Sequence, residues 1–451
     1  LNPMFSDKDL KWLIIPLVIE QFLAVTVGMA DIIMISGAGE IAVSGVSLVD
    51  TINILLINIF AALATGGAVI SAQYLGKKDR KTACISANQL LLVSGTISIG
   101  IMFFALIGNK IILNVIFGQV DSAIMKNAQI YFFLSSLSYP FLSVYNSSAA
   151  LFRAMGNSRI SMFTSLCMNI INIFGNAILI YGFGMGVEGV GIATLISRIV
   201  AAIIMLVLIR IPTYDIYIES FCLKFDFQII KQILQIGIPN SLENSMFQVG
   251  KILVMSLVAS FGTVAIAANA VSNTIAGFAV IPGMATGLSL ITIIGQCVGA
   301  NDYKQAVYYT KKIMKITFAA LAIINCFIII FVPAIVSIYK LSDETTNLTI
   351  QIIRYYSICC IFIWPLSFTL PNTLRAANDV KFTMIIAIIS MWTWRIGFSY
   401  ILGNTFGLGV FGIWVAMTID WLFRGICLTG RFFKGTWKDK EIISRIKSDT
   451  F

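Results

Sequence analysis

The chain has 451 residues, of which 58% are hydrophobic and 12% charged, with a mean hydropathy of +0.91 and a formal charge of +10. Soluble globular proteins carry about 25% charged residues, so an ordinary soluble domain is excluded. The composition points to a polytopic membrane protein with room for roughly twelve helices. There is no histidine. Imidazole proton relays and histidine metal sites are therefore absent, and carboxylates are the obvious titrating groups.

The first apolar run, residues 12–36, contains no Lys or Arg and only two acids, Glu20 and Asp31. It is long enough to cross a bilayer as a helix, too long for a cleavable signal peptide, and preceded by a polar stretch. At ~100° and ~1.5 Å per residue, the eleven-residue spacing puts both acids on one face, ~16 Å apart in depth. A carboxylate in hydrocarbon costs about 2.5–3.5 kcal/mol and normally faces protein or water. Two readings follow: acids near helix ends held by neighbouring donors, or an ion or substrate path along that face.

Eleven further apolar runs follow, near residues 43–70, 88–108, 127–151, 160–182, 189–210, 233–260, 264–294, 314–336, 350–374, 383–403 and 410–430. Lys and Arg collect in alternate connections, such as Lys77, Lys78, Arg80 and Lys81, then Lys304, Lys311 and Lys312, and finally Arg431 to Lys447. The opposite connections hold little beyond Lys110, Lys126 and Lys340. By the positive-inside rule both termini are cytoplasmic, in a multi-pass plasma-membrane protein. The basic surplus is then topological and needs no nucleic-acid partner. The expected organisation is a six-helix lobe over 1–210, a cytoplasmic linker over 211–231 forming a surface helix or loop, a second lobe over 232–430, and a basic tail over 431–451 lying on the inner leaflet. The eight cysteines are scattered without a CxxC pair and read as core thiols.

The halves repeat. A shift of 223 residues places Pro16 on Pro239, Glu20 on Glu243, Gln73 on Gln296, Asp79 on Asp302 and Gly186 on Gly409; Arg153 meets Arg375 at 222. Six spans per half give parallel repeats, the arrangement of transporters that bind cargo between lobes and alternate access by rocking. Asp79 and Asp302, at the starts of the third and ninth spans, read as helix caps.

The polar residues inside the spans are unevenly placed. The fifth span carries Asn169, Asn172 and Asn176, the last two on one face at i,i+4, and Thr194 follows in the sixth. These amides either hydrogen-bond between helices or supply oxygens to a cation. The second half carries Glu243 and Lys251 in the seventh span, Arg395 at the position equivalent to Asn172, and an i,i+4 pair, Asp420 and Arg424, that reads as structural. Glu243 is expected to pair with Arg395 or Lys251, or Arg395 with Asp420. Asp50, Arg198 and Arg354 read as packing or lobe-contact residues. Met29, Met34, Met246, Phe247, Met284, Trp392 and Trp394 are candidates for the wall of a cavity that takes lipophilic cations, or ordinary core and lipid-facing residues.

Several stretches resemble the multidrug and toxic compound extrusion (MATE) transporters: SAQYLGKKDRKTA at 71–83, GQCVGANDYKQA at 295–306, IGIPNSLENSMFQVGKILV at 236–254, FRAMGNSR at 152–159 and GVEGVGIATLISR at 186–198. The resemblance implies an all-α protein of twelve transmembrane helices in two six-helix lobes, V-shaped, that exports organic cations in exchange for H+ or Na+, with no other cofactor. It assigns cation coupling to Asp31, Asn172, Asn176 and Thr194, with Asn176 standing where some members have Asp. It marks Glu243, with its repeat partner Glu20, as a coupling or substrate carboxylate beside Arg395 and Lys251. The span-ten acid of some members is missing, which moves coupling to Asp31. The chain is then a transporter and not an enzyme, acting as a monomer on small cationic molecules. A flippase for a lipid-linked saccharide would share the lobes and need a more cationic cavity, for which Arg395, Lys251 and Arg198 speak.

Overall fold

A computed structural model describes residues 2–443. The described residues form helices and no strand. Twelve spans follow the predicted order: α1 Asp7–Ser36, α2 Glu40–Gly76, α3 Arg80–Ile107, α4 Ser122–Ala154, α5 Ser158–Gly182, α6 Val187–Leu208, α7 Phe227–Ala259, α8 in two pieces (Thr263–Ala279 and Ile281–Gly299), α9 Tyr303–Ser337, α10 as Asp343–Phe362 plus Pro365–Ala376, α11 Val380–Thr405 and α12 Val410–Lys434. The helices overrun the apolar runs because polar caps carry them past the hydrocarbon. Asp79 and Asp302 each accept a backbone N–H three residues on, from Thr82 and Gln305, both at 3.1 Å. The two pieces of α10 meet at 61°, where Pro365 removes a backbone donor. A short helix, Asn109–Phe117, precedes α4 and had no counterpart among the predicted spans.

The repeat is visible in the backbone. Left-handed residues recur at the 223-residue offset in Gly39 and Gly262 (φ 103° and 98°), Lys78 and Asn301 (62° and 57°), and Gly184 and Gly407 (65° and 70°). Identical turns at identical intervals mean that both halves are the same six-helix unit.

Two compact units result, Asp7–Ser241 and Leu242–Phe451 with Leu1–Ser6. In the first, the opening turns of α7 lie on α2. Tyr74 Oη donates to Gln232 Oε1 at 2.7 Å, Asn240 Nδ2 donates to the Ala62 carbonyl at 3.2 Å, and Gly66 lies against Gly237. A Cβ on Gly66 would stand 2.7 Å from the Ile233 carbonyl and the Gly237 nitrogen, so only glycine allows this backbone approach. Gly66→Val is expected to lower the detergent melting temperature, with a cost of about 1–3 kcal/mol from overpacking; an unchanged melting curve would refute the close approach. The stretch between α6 and α7 is neither a helix nor free. It is an extended strap on α3: Arg80 donates to the carbonyls of Pro212, Tyr214 and Asp215, Asn88 to that of Cys222 and Gln89 to that of Lys224, while Ile216 and Ile218 are buried.

In the second unit, Asn2–Ser6 packs on α9: the Met4 N–H donates to Gln305 Oε1 at 2.8 Å and the Phe5 N–H to Tyr309 Oη at 2.9 Å. Beyond α12, Trp437 is buried and stacks on Phe432 at 5.6 Å. The rest of the basic tail, residues 444–451, lies outside the described residues. The cysteine expectation is corrected. Only Cys297 and Cys360 are buried; Cys222 is exposed on the strap, and Cys167 and Cys326 are exposed on spans, because an apolar run in a bundle has a lipid-facing side as well as a core side.

Candidate functional site

The first unit brings together the four residues singled out for cation coupling. α1 and α5 run side by side, and the eleven-residue spacing of Glu20 and Asp31 on α1 is matched by Ser161 and Asn172 on α5. Both acids therefore meet α5, at two depths. At the deeper position, Asn172 Nδ2 donates to both oxygens of Asp31 at 3.1 Å and Asn176 Nδ2 donates to Oδ1 at 3.0 Å. Thr194 Oγ1 donates to Asn172 Oδ1 at 3.4 Å. Asn172 and Asn176 are buried, and the Asn176 carbonyl oxygen has no hydrogen-bond partner. The carboxylate is thus held by neutral donors alone, and a buried amide oxygen is left over beside it. Turning either amide over would present an oxygen where an N–H now points. With the carboxylate and the Thr194 hydroxyl, that is the donor set a hard monovalent cation prefers.

The neighbourhood is less neutral than the sequence suggested. Arg198, one turn beyond Thr194 on α6, lies within electrostatic reach of Asp31 and Asp50 and donates to Ser138 Oγ at 2.6 Å. Asp50 Oδ1 accepts from Asn53 at 3.3 Å and Tyr131 at 3.2 Å, and Tyr139 donates to Asn53 at 2.7 Å. Asp50 and Arg198 are members of a polar network next to the Asp31 site, not packing residues. Sequence spacing did not find this, because its members are divided among three helices: Asp50 and Asn53 on α2, Tyr131, Ser138 and Tyr139 on α4, and Arg198 on α6.

Glu20 and Glu243 occupy a different setting. Glu20 accepts from Ser161 Oγ at 3.0 Å and lies 3.5 Å from Arg153. Glu243 lies 2.6 Å from Arg375. The expected pairing of Glu243 with Arg395 or Lys251 is thereby corrected. Its partner is the residue that the repeat places on Arg153, so the two ion pairs are the same contact made once per unit. The signal was in the sequence, since both Glu and both Arg had been aligned by the repeat. What was missing was that Arg153, in the last turn of α4, reaches Glu20 on α1, as Arg375 in the last turn of α10 reaches Glu243 on α7.

Arg395 instead faces Asp420, at 3.9 Å, and Arg424 Nε donates to Asp420 Oδ1 at 3.1 Å. Ser390 also donates to Asp420. Lys251 is exposed on α7, its Nζ 5.2 Å from the Phe247 ring centre. Of the proposed wall residues, Met29, Met246 and Phe247 are half-buried, Met284 is 45% exposed, and Trp394 lies against Phe398 and Phe423 with the rings tilted, at 5.0 and 5.6 Å.

Comparison with known proteins agrees with the repeat and the fold. The MatE family model matches residues 16–178 and again 239–401. The two matches are offset by 223 residues, as the internal repeat is. An uncharacterized transporter, YisQ of Bacillus subtilis, is 28% identical over 97% of this chain and 95% of its own. A probable multidrug resistance protein, NorM of Thermotoga maritima, is 25% identical over 97% and 94%. Among solved structures, an outward-facing multidrug resistance MATE transporter superposes with a TM-score of 0.89 at 20% identity, covering 96% of this chain and 97% of that one. These likenesses do not favour the flippase reading.

Proposed function

Since the chain belongs to the MATE family of multi-pass membrane transporters, we propose that it is a cation-coupled antiporter that exports lipophilic organic cations by alternating access of its two lobes. On this reading it works in the plasma membrane with both termini in the cytoplasm, which the alternation of basic loops supports. The observation that carries this reading is the Asp31 site. A half-buried carboxylate inside a span is costly, and one held by no cationic donor points to an ion or substrate path. Its three donors are neutral amide N–H groups from Asn172 and Asn176, so no salt bridge has to break when a proton or Na+ arrives. A protonated Asp31 needs only one amide oxygen to accept its O–H. Na+ recruits that oxygen together with the Asn172 and Thr194 oxygens.

Cargo and ion then compete through the rearrangement of the lobes. Each shifts the equilibrium by its differential affinity for the two states, and by nothing else. The names of relatives such as NorM, a probable multidrug resistance protein, support a lipophilic drug as cargo. The test is ethidium movement in vesicles, first under an imposed pH gradient and then under a Na+ gradient. Uphill ethidium export is expected with one of the two, and that one names the coupling ion. No export under either, with the protein verified in the membrane, would overturn the proposal.

A further inference from the structure

The repeat makes the second unit directly comparable with the coupling site of the first. At the 223-residue offset, Asp31, Asn172, Asn176 and Thr194 fall on Val254, Arg395, Ser399 and Met417. The carboxylate, both amides and the threonine hydroxyl are gone, and a guanidinium stands in their place. Two more cations join it with no counterpart in the first unit: Lys251 falls on Gly28 and Arg424 on Ala201.

All three cations converge on one ring. Arg395 Cζ lies 4.9 Å, Lys251 Nζ 5.2 Å and Arg424 Cζ 5.6 Å from the centre of Phe247. The ring face offsets part of their repulsion. Among the described residues, the one carboxylate within ion-pair distance of this group is Asp420, which is fully buried behind the two arginines. Three positive charges thus face one negative charge. Arg395 is 8% exposed and its Nη1 has no hydrogen-bond partner; the same is true of Nη2 on Arg424, which is 4% exposed. Uncompensated buried guanidinium charge is strongly unfavourable unless a partner arrives. Arg395 sits in a π-helical turn, Met391–Gly397, an irregularity frequent at functional sites.

We infer that Lys251, Arg395 and Arg424 around Phe247 form an anion-binding subsite that takes the acidic group, a carboxylate or a phosphate, of an amphipathic molecule whose apolar body rests on the ring. The inference rests on the reading of the chain as an exporter of amphipathic cargo, and it extends that cargo to molecules bearing an acidic group. Two guanidiniums and an ammonium suit an oxyanion by charge-assisted hydrogen bonds. The exposed Lys251 is the group that meets the ligand first, and the buried arginines complete its partners.

The test uses the whole protein in phosphatidylcholine nanodiscs, with binding followed by calorimetry and no ion gradient. The probes are 1-naphthaleneacetate and its uncharged amide. The acid is expected to bind more tightly than the amide. Lys251→Gln should weaken the acid about tenfold and leave the amide unchanged, while Lys251→Arg retains the preference. Lys251 is exposed, so its replacement spares folding, and Arg395→Gln serves as a second variant where it remains monodisperse. Discs containing phosphatidylglycerol separate the sources. If a lipid phosphate fills the subsite, they weaken acid binding by wild type but not by Lys251→Gln; if the occupant is soluble, the acid binds equally in both. Either result supports an oxyanion site. Equal affinity for acid and amide, or a preference indifferent to Lys251 and Arg395, overturns it. Because no gradient is applied, that failure is distinct from failure of the antiport proposal, which is read by ethidium export.

Discussion

Asp31→Asn is expected to abolish gradient-driven ethidium export, reducing it to the leak rate, while the protein still folds and inserts. The substitution keeps the shape of the side chain and removes its charge. The amide donors of Asn172 and Asn176 retain one oxygen acceptor instead of two, and a charged group inside a span is exchanged for a neutral one, which does not destabilise the helix. Detergent melting is therefore unchanged or slightly raised. The loss falls on coupling, because the variant can neither take up a proton nor balance a monovalent cation. Export at the wild-type rate, still dependent on the ion gradient, would remove Asp31 from that role. The search would then turn to Asp50, whose hydrogen-bond donors Asn53 and Tyr131 are also neutral, before Glu20 and Glu243, which are already bound to Arg153 and Arg375.

Asp420→Asn has the opposite signature. Asp420 is fully buried and holds Arg424 at 3.1 Å and Arg395 at 3.9 Å. Removing the carboxylate leaves two guanidiniums facing each other in the interior, the situation in which breaking a buried pair costs about 3–5 kcal/mol. The expected result is a marked fall in melting temperature and in monodisperse yield. Ethidium export per folded molecule is expected to stay near normal, because the proposed coupling carboxylate, Asp31, is in the other unit. A variant with unchanged melting but no transport would reverse the assignment and make Asp420 a transport residue. Measuring both variants in one preparation separates a carboxylate kept for its chemistry from one kept to hold its neighbours.

Much of this molecule was written in the order of its residues. Long apolar runs located the twelve spans, since an uncovered backbone in lipid must be helical. A constant offset of 223 residues revealed two copies of one unit, and the left-handed turns at Gly39 and Gly262 carry the same offset into three dimensions. The Asp31 site was legible because each helix fixes its own faces. Eleven residues on α1 and four on α5 bring side chains round to the same side, and the two helices happen to be neighbours.

What sequence periodicity leaves open is which helix stands opposite a given face, and the remaining features depend on that. Glu243 chose Arg375 over Arg395 because the last turn of α10 carries Arg375 to α7. Asp50 and Arg198 became neighbours of Asp31 only when α2, α4 and α6 packed together. Lys251, Arg395 and Arg424 come from three different spans, and Phe247 unites them. The exposed cysteines make the same point: hydrophobicity says that a side chain avoids water, and only packing decides whether it does so in the core or against lipid.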